Sequence, residues 1–138
     1  GASRLGHGVR IADDISVSGS GFTLGEVAAY VCDRRIALEV CPSSNVQTGV
    51  CGSVGEHPVG MLIDAGFRVA ISCDNRLMSR TSLTRELTSV AESFGLGIVD
   101  LWRLTRDAMR SAFFPYDSRE RLLDVVIDPA YRAALNER

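Results

Sequence analysis

The chain has 138 residues, 46% of them hydrophobic and 23% charged, with a formal net charge of −2. That composition and length suit one globular domain. The near-neutral balance gives no electrostatic case for nucleic acid or anionic membranes, and no apolar run approaches the roughly 20 residues of a membrane span. The start, Gly1-Ala2-Ser3-Arg4, lacks the basic and apolar regions of a signal peptide and reads as a cut end. Four cysteines, Cys32, Cys41, Cys51 and Cys73, show neither zinc-ribbon nor CxxC spacing. They read as reduced structural thiols of a cytoplasmic protein, Cys32 on a helix face and Cys73 in an apolar strand.

In chain order, the first segment before Gly6 is too short to assign alone. A polar, glycine-rich loop is expected over Val9 to Gly21. Thr23 and Glu26 form a capping-box pattern, and Leu24, Val27, Ala28 and Val31 follow at helical spacing, predicting an amphipathic helix that ends near Arg34. Ile36 to Val40 reads as a short strand stopped by the breaker Cys41-Pro42-Ser43-Ser44-Asn45. After a second glycine-rich loop, Pro58 suits the first position of a helix carrying Val59, Leu62 and Ile63, and Gly66 suits its end. Phe67 to Cys73 predicts a third strand. Beyond it the chain reads as helical, with stripes at Leu83 to Phe94 closed by Gly95, at Leu101, Leu104 and Ala108, and at Leu122 to Ile127, which Pro129 ends or kinks. Short apolar strands alternating with helices predict an α/β fold with a parallel sheet covered on both faces.

Functional groups of such folds collect at the carboxyl ends of the strands. Three places meet that rule: Gly6-His7-Gly8, Cys41 to Asn45, and Asp74-Asn75-Arg76. Each residue also has a plain structural use. A histidine between glycines serves as a turn residue, and an aspartate after a strand serves as an N-cap. The Cys-Pro pair reads as a rigid turn, and His57 before Pro58 as a residue that starts a helix. Still, His7 and Asp74 at equivalent strand ends make a pair that one site mouth can gather, and imidazole and carboxylate are both zinc-site groups. Two groups remain fewer than the three protein ligands a metal site needs.

Arg4-Leu5-Gly6-His7-Gly8 resembles the RxGHG motif of adenosine deaminases. Glu39-Val40-Cys41-Pro42-Ser43-Ser44-Asn45, followed by Thr48-Gly49, resembles their E-(I/V/M)-C-P-x-S-N segment. Ser72-Cys73-Asp74-Asn75-Arg76 resembles the metal-binding strand end of the bacterial members. The resemblance implies that residues 1–138 are the C-terminal portion of a TIM-type (β/α)8 barrel, about three βα units plus terminal helices. It implies Zn2+ as cofactor, a purine nucleoside as substrate, and hydrolytic deamination of adenosine or 2′-deoxyadenosine to the inosine product. By the same resemblance, His7 and Asp74 match catalytic residues. Asp74 also matches a zinc ligand, and His7 the histidine that orients and supports the attacking hydroxide. Asn75 departs from a family aspartate that contacts purine N7. An asparagine amide donates to N7 without needing a proton, so Asn75 is expected to keep that substrate contact.

The family's HxH and HAGE motifs are absent from these 138 residues, whose histidines are His7 and His57. The missing ligands are therefore expected from an N-terminal portion of the same enzyme, or the chain pairs with another copy as an inactive binding module. Deamination of adenine or another 6-aminopurine is the further alternative.

Overall fold

A computed structural model of the protein describes residues 1–19 and 21–137; Ser20 and Arg138 lie outside the described residues. The chain opens with β1 (Arg4–Gly6), a 3-10 turn (Val9–Asp14), β2 (Ile15–Ser18), β3 (Gly21–Leu24) and α1 (Glu26–Asp33). It continues with β4 (Ala37–Val40), α2 (Pro42–Gln47), a 3-10 turn (Val54–Glu56), α3 (Val59–Asp64) and β5 (Val69–Ile71). The remainder is helical: α4 (Leu83–Phe94), α5 (Ile98–Ser111), α6 (Tyr116–Leu122), a π-helical turn (Leu123–Ile127) and α7 (Asp128–Asn136).

β1, β4 and β5 form one parallel sheet in the order β1-β4-β5, with Leu5 beside Leu38 and Leu38 beside Val69. The central strand is apolar because both its faces are covered. Leu38, Val40, Val59, Leu62 and Val69 are fully buried and join one core with Val90 and Leu104 from α4 and α5. Burial of each such large side chain contributes about 1.5–3 kcal/mol. Among the described residues β1 and β5 each pair with a single sheet neighbour, so the sheet has two open edges. A closed barrel has none and uses eight strands. The fold is α/β, a partial TIM-type barrel with terminal helices. None of the described helices is long and apolar enough to cross a membrane.

Several local expectations are corrected. The stretch from Val9 to Gly21 is not loop throughout; it holds a 3-10 turn and most of the β2–β3 hairpin. The loop reading at Ser20 lies outside the described residues. Thr23 and Leu24 belong to β3, and Gly25 is the N-cap of α1. The capping bond comes from further back: Asp14 Oδ2 accepts the Ala28 N–H at 2.8 Å. The expected box therefore yields to Asp14, whose side chain caps the helix while its backbone carbonyl closes the hairpin by accepting the Gly25 N–H at 2.7 Å. The breaker at Cys41 starts a helix, since Pro42 takes its first turn, where no N–H is needed. Ile36 precedes its strand, and Cys73 lies beyond β5. The stripe at Leu122 to Ile127 does change at Pro129: it ends in the π-helical turn, and α7 starts at Asp128 with Pro129 in its first turn.

Candidate active site

The ladder runs one residue past each strand, with His7 N–H donating to Glu39 O at 2.9 Å and Ser72 N–H to Val40 O at 2.8 Å. The chain then turns sharply at both ends. His7 and Asp74 each adopt the left-handed region, at φ 54°. That region costs a non-glycine residue of order 1 kcal/mol, with Asp, Asn and His tolerating it best. Gly8, at φ 64°, completes the first turn, and a Cβ there would lie 2.7 Å from Cδ2 of buried Leu38. Glycine is therefore required for His7 to leave the sheet in this direction.

These turns bring the two side chains together. His7 Nε2 lies 3.8 Å from Asp74 Oδ2, and both side chains are a little under half exposed. They line one wall of a cleft of about 350 Å3, shared with Ser44, Asn45 and Thr48. That volume is at the lower end of the roughly 300–1,000 Å3 of small-molecule sites. A larger cavity, about 690 Å3, opens at the other ends of the strands beside Arg35, Arg68 and Arg119 and contains neither residue.

α2 supplies the supports. Ser44 Oγ–H donates to Asp74 Oδ2 at 2.8 Å, and Asn45 Nδ2 lies 3.2 Å from His7 Nδ1. Both residues are buried. The N-terminus of α2 is fixed by Glu86 of α4, whose Oε2 accepts the Ser43 N–H at 3.0 Å while Oε1 accepts the Thr81 hydroxyl at 2.6 Å. Glu86 is fully buried; removing its carboxylate would leave that N–H unpaired, a cost of about 1–3 kcal/mol. His57, also buried, lies behind Asn45, with Nε2 at 3.1 Å from Asn45 Oδ1. It does start α3 as the sequence suggests, because its Nδ1 accepts the Val59 N–H at 2.9 Å.

The geometry separates the other candidates. Burial, reinforced by the negative charge of Asp74, pushes the Cys41 thiol up from 9.0 to about 11. That shift moves the thiol away from the thiolate form a nucleophile uses. Asn75 follows Asp74, and its Oδ1 accepts the N–H groups of Leu77 and Met78 at 3.1 and 3.0 Å. The oxygen is committed to the turn, so the amide nitrogen is the end available as a donor.

For a metal, the donor set fits one part of a zinc site. Asp74 Oδ2 is oriented by Ser44, and Oδ1 makes no hydrogen bond among the described residues. Among those residues no three His, Cys, Asp or Glu side chains gather in a metal-binding group, and zinc requires at least three protein ligands.

Sequence reasoning missed Ser44, Asn45, His57 and Glu86 as site supports. The signal for the first two is Pro42, a helix-starting proline directly after a strand, which turns Ser44 and Asn45 into first-turn residues beside the site. Nothing local marks the other two, whose partners lie 12 and 43 residues away.

Comparison with known proteins identifies the family and the fold. A family model described as adenosine deaminase matches residues 1–129. The chain is 54% identical over 136 residues to an adenosine deaminase of Mycobacterium tuberculosis, covering 98% of this chain and 37% of that protein. Among solved structures, an adenine deaminase from Arthrobacter aurescens superposes with a TM-score of 0.78 at 20% identity, covering 88% of this chain and 34% of that one. A zinc-bound amidohydrolase from Burkholderia ambifaria gives 0.78 at 19% identity, covering 98% and 35%. The chain thus spans a little over a third of the length of the curated relative it matches. The parallel strands, the two motif-bearing turns at their carboxyl ends and the extent of the match lead to one assignment: the chain belongs to the adenosine deaminase family.

Proposed function

We propose that residues 1–138 form the C-terminal portion of a complete (β/α)8 barrel that hydrolytically deaminates adenosine and 2′-deoxyadenosine. The N-terminal portion of the same enzyme would supply the HxH and HAGE motifs. The observation that carries this reading is the convergence of His7 and Asp74 from adjacent strand ends, within segments matching the family. Unpaired cysteines suit the cytoplasm.

In this reading Asp74 is one ligand of a zinc ion. Such an ion lowers the pKa of water toward about 7 and so supplies the nucleophile at neutral pH. Asp74, oriented by Ser44, would hold that ion and orient the attacking water toward C6 of the purine. His7 donates a hydrogen bond from Nε2 to the attacking oxygen and offsets the charge that builds on it. The C6–O bond would form and the C6–N bond break, one proton of the water ending on ring N1 and the other on the amino group that leaves as ammonia. Asn75 donates from its amide nitrogen to purine N7, which only accepts.

The function is tested in a hybrid in which this chain replaces the matching segment of the M. tuberculosis relative. With zinc, adenosine and 2′-deoxyadenosine should give higher kcat/KM than adenine or a 6-aminopurine nucleotide. Preference for adenine would instead favour the second reading suggested by the Arthrobacter neighbour. Asn75→Ala in the same hybrid should lower kcat/KM for adenosine about 10-fold, the worth of one hydrogen bond to substrate. No loss for adenosine would remove Asn75 from the site.

A further inference from the structure

The position of the His7 proton follows from a chain of hydrogen bonds that begins at a backbone amide. The Val59 N–H, which can only donate, points at His57 Nδ1 at 2.9 Å. His57 Nδ1 is therefore a bare acceptor, and in the neutral ring the proton sits on Nε2. The ring is 2% exposed, and burial holds its pKa below the usual 6.5, with His7 reinforcing and Glu86 opposing the shift.

The protonated Nε2 faces one atom of the Asn45 amide at 3.1 Å, which must then be the oxygen. That fixes the amide nitrogen on the other side, 3.2 Å from His7 Nδ1. An amide nitrogen only donates, so His7 Nδ1 accepts and the proton of neutral His7 resides on Nε2. Asn45 is 3% exposed, and turning its amide over would set N–H against N–H at one ring and oxygen against a lone pair at the other.

We propose that His57 and Asn45 are positioning residues that fix His7 in its Nε2–H form through this relay. Resting on the function proposed above, His7 then presents a hydrogen and not a lone pair to the attacking oxygen; it supports developing negative charge and does not serve as the base. The relay also explains a buried polar pair on α2 and before α3 that packing alone does not require, since each polar atom of that pair has a single partner able to satisfy it.

The test is ¹⁵N–¹H correlation of the imidazole rings in the hybrid enzyme with only this 138-residue portion labelled, at about pH 8, above the ordinary imidazole pKa of roughly 6.5. The chain has two histidines, so replacing one assigns the other. The expected result is a bare Nδ1 and a protonated Nε2 on both rings, without tautomer averaging. A proton on Nδ1 of His7, or averaged shifts on either ring, would overturn the relay.

Asn45→Asp supplies the sharper contrast. A carboxylate only accepts, so it still serves His57 but draws a proton onto His7 Nδ1. A His7 Nδ1 that stays bare in that variant would also overturn the proposal. In the hybrid enzyme Asn45→Asp should lower kcat roughly 10–100-fold, as loss of an outer-shell partner does, with KM unchanged. The spectra need neither zinc nor turnover. A hybrid inactive on every substrate would refute the functional reading alone, and misplaced ring protons in an active hybrid would refute the relay alone.

Discussion

Asp74→Asn should lower kcat/KM for adenosine by about 10³-fold or more in the hybrid enzyme, a loss of about 4 kcal/mol of transition-state stabilisation. The substitution isolates chemistry from folding. Asparagine tolerates the left-handed φ of 54° that Asp74 occupies. Its carbonyl oxygen can still accept the Ser44 hydroxyl, so the turn and the contact with α2 persist. What disappears is the negative charge that makes a carboxylate a zinc ligand. Zinc content per protein should fall together with turnover, while thermal stability changes by no more than about 1 kcal/mol. Retained zinc with wild-type turnover would remove Asp74 from the metal site.

His7→Asn has a different signature. It too suits the left-handed turn, but its shorter side chain withdraws the Nε2 donor from the cleft. Losing one donor aimed at a developing charge costs about 10²–10³ in kcat. Zinc content and KM should stay near wild type, because His7 is proposed to contact the attacking oxygen and not to hold the metal. The two variants therefore separate along zinc content. If His7→Asn lost zinc as Asp74→Asn does, the histidine would be a ligand and the division of roles between the two residues would fail.

The sheet and long helices were legible because burial writes a pattern. Leu38, Val40, Val69 and Ile71 are covered on both faces and read as apolar runs. α4 announces both ends, with Ser82 accepting the Arg85 N–H and Gly95 at φ 65°. The β2–β3 hairpin was not legible, since nearly all its described residues are exposed and no alternation marks an inside face. α2 was hidden for another reason. Pro42-Ser43-Ser44-Asn45 are turn formers locally, and a carboxylate 43 residues away stabilises their helix. Within the site, His7 and Asp74 could be found because strand ends are where α/β folds gather chemistry. Ser44 and Asn45 lie in a strand-end stretch that the same rule selects, but their supporting roles and that of His57 exist only through contacts between segments.

The most direct test is adenosine-to-inosine conversion by the zinc-supplied hybrid, with the 138-residue chain alone measured beside it. The hybrid should turn adenosine over and lose that activity with Asp74→Asn, and the chain alone, which brings one proposed zinc ligand, should show none. A folded, zinc-loaded hybrid that leaves adenosine unchanged would contradict the proposal that this chain completes a deaminase site.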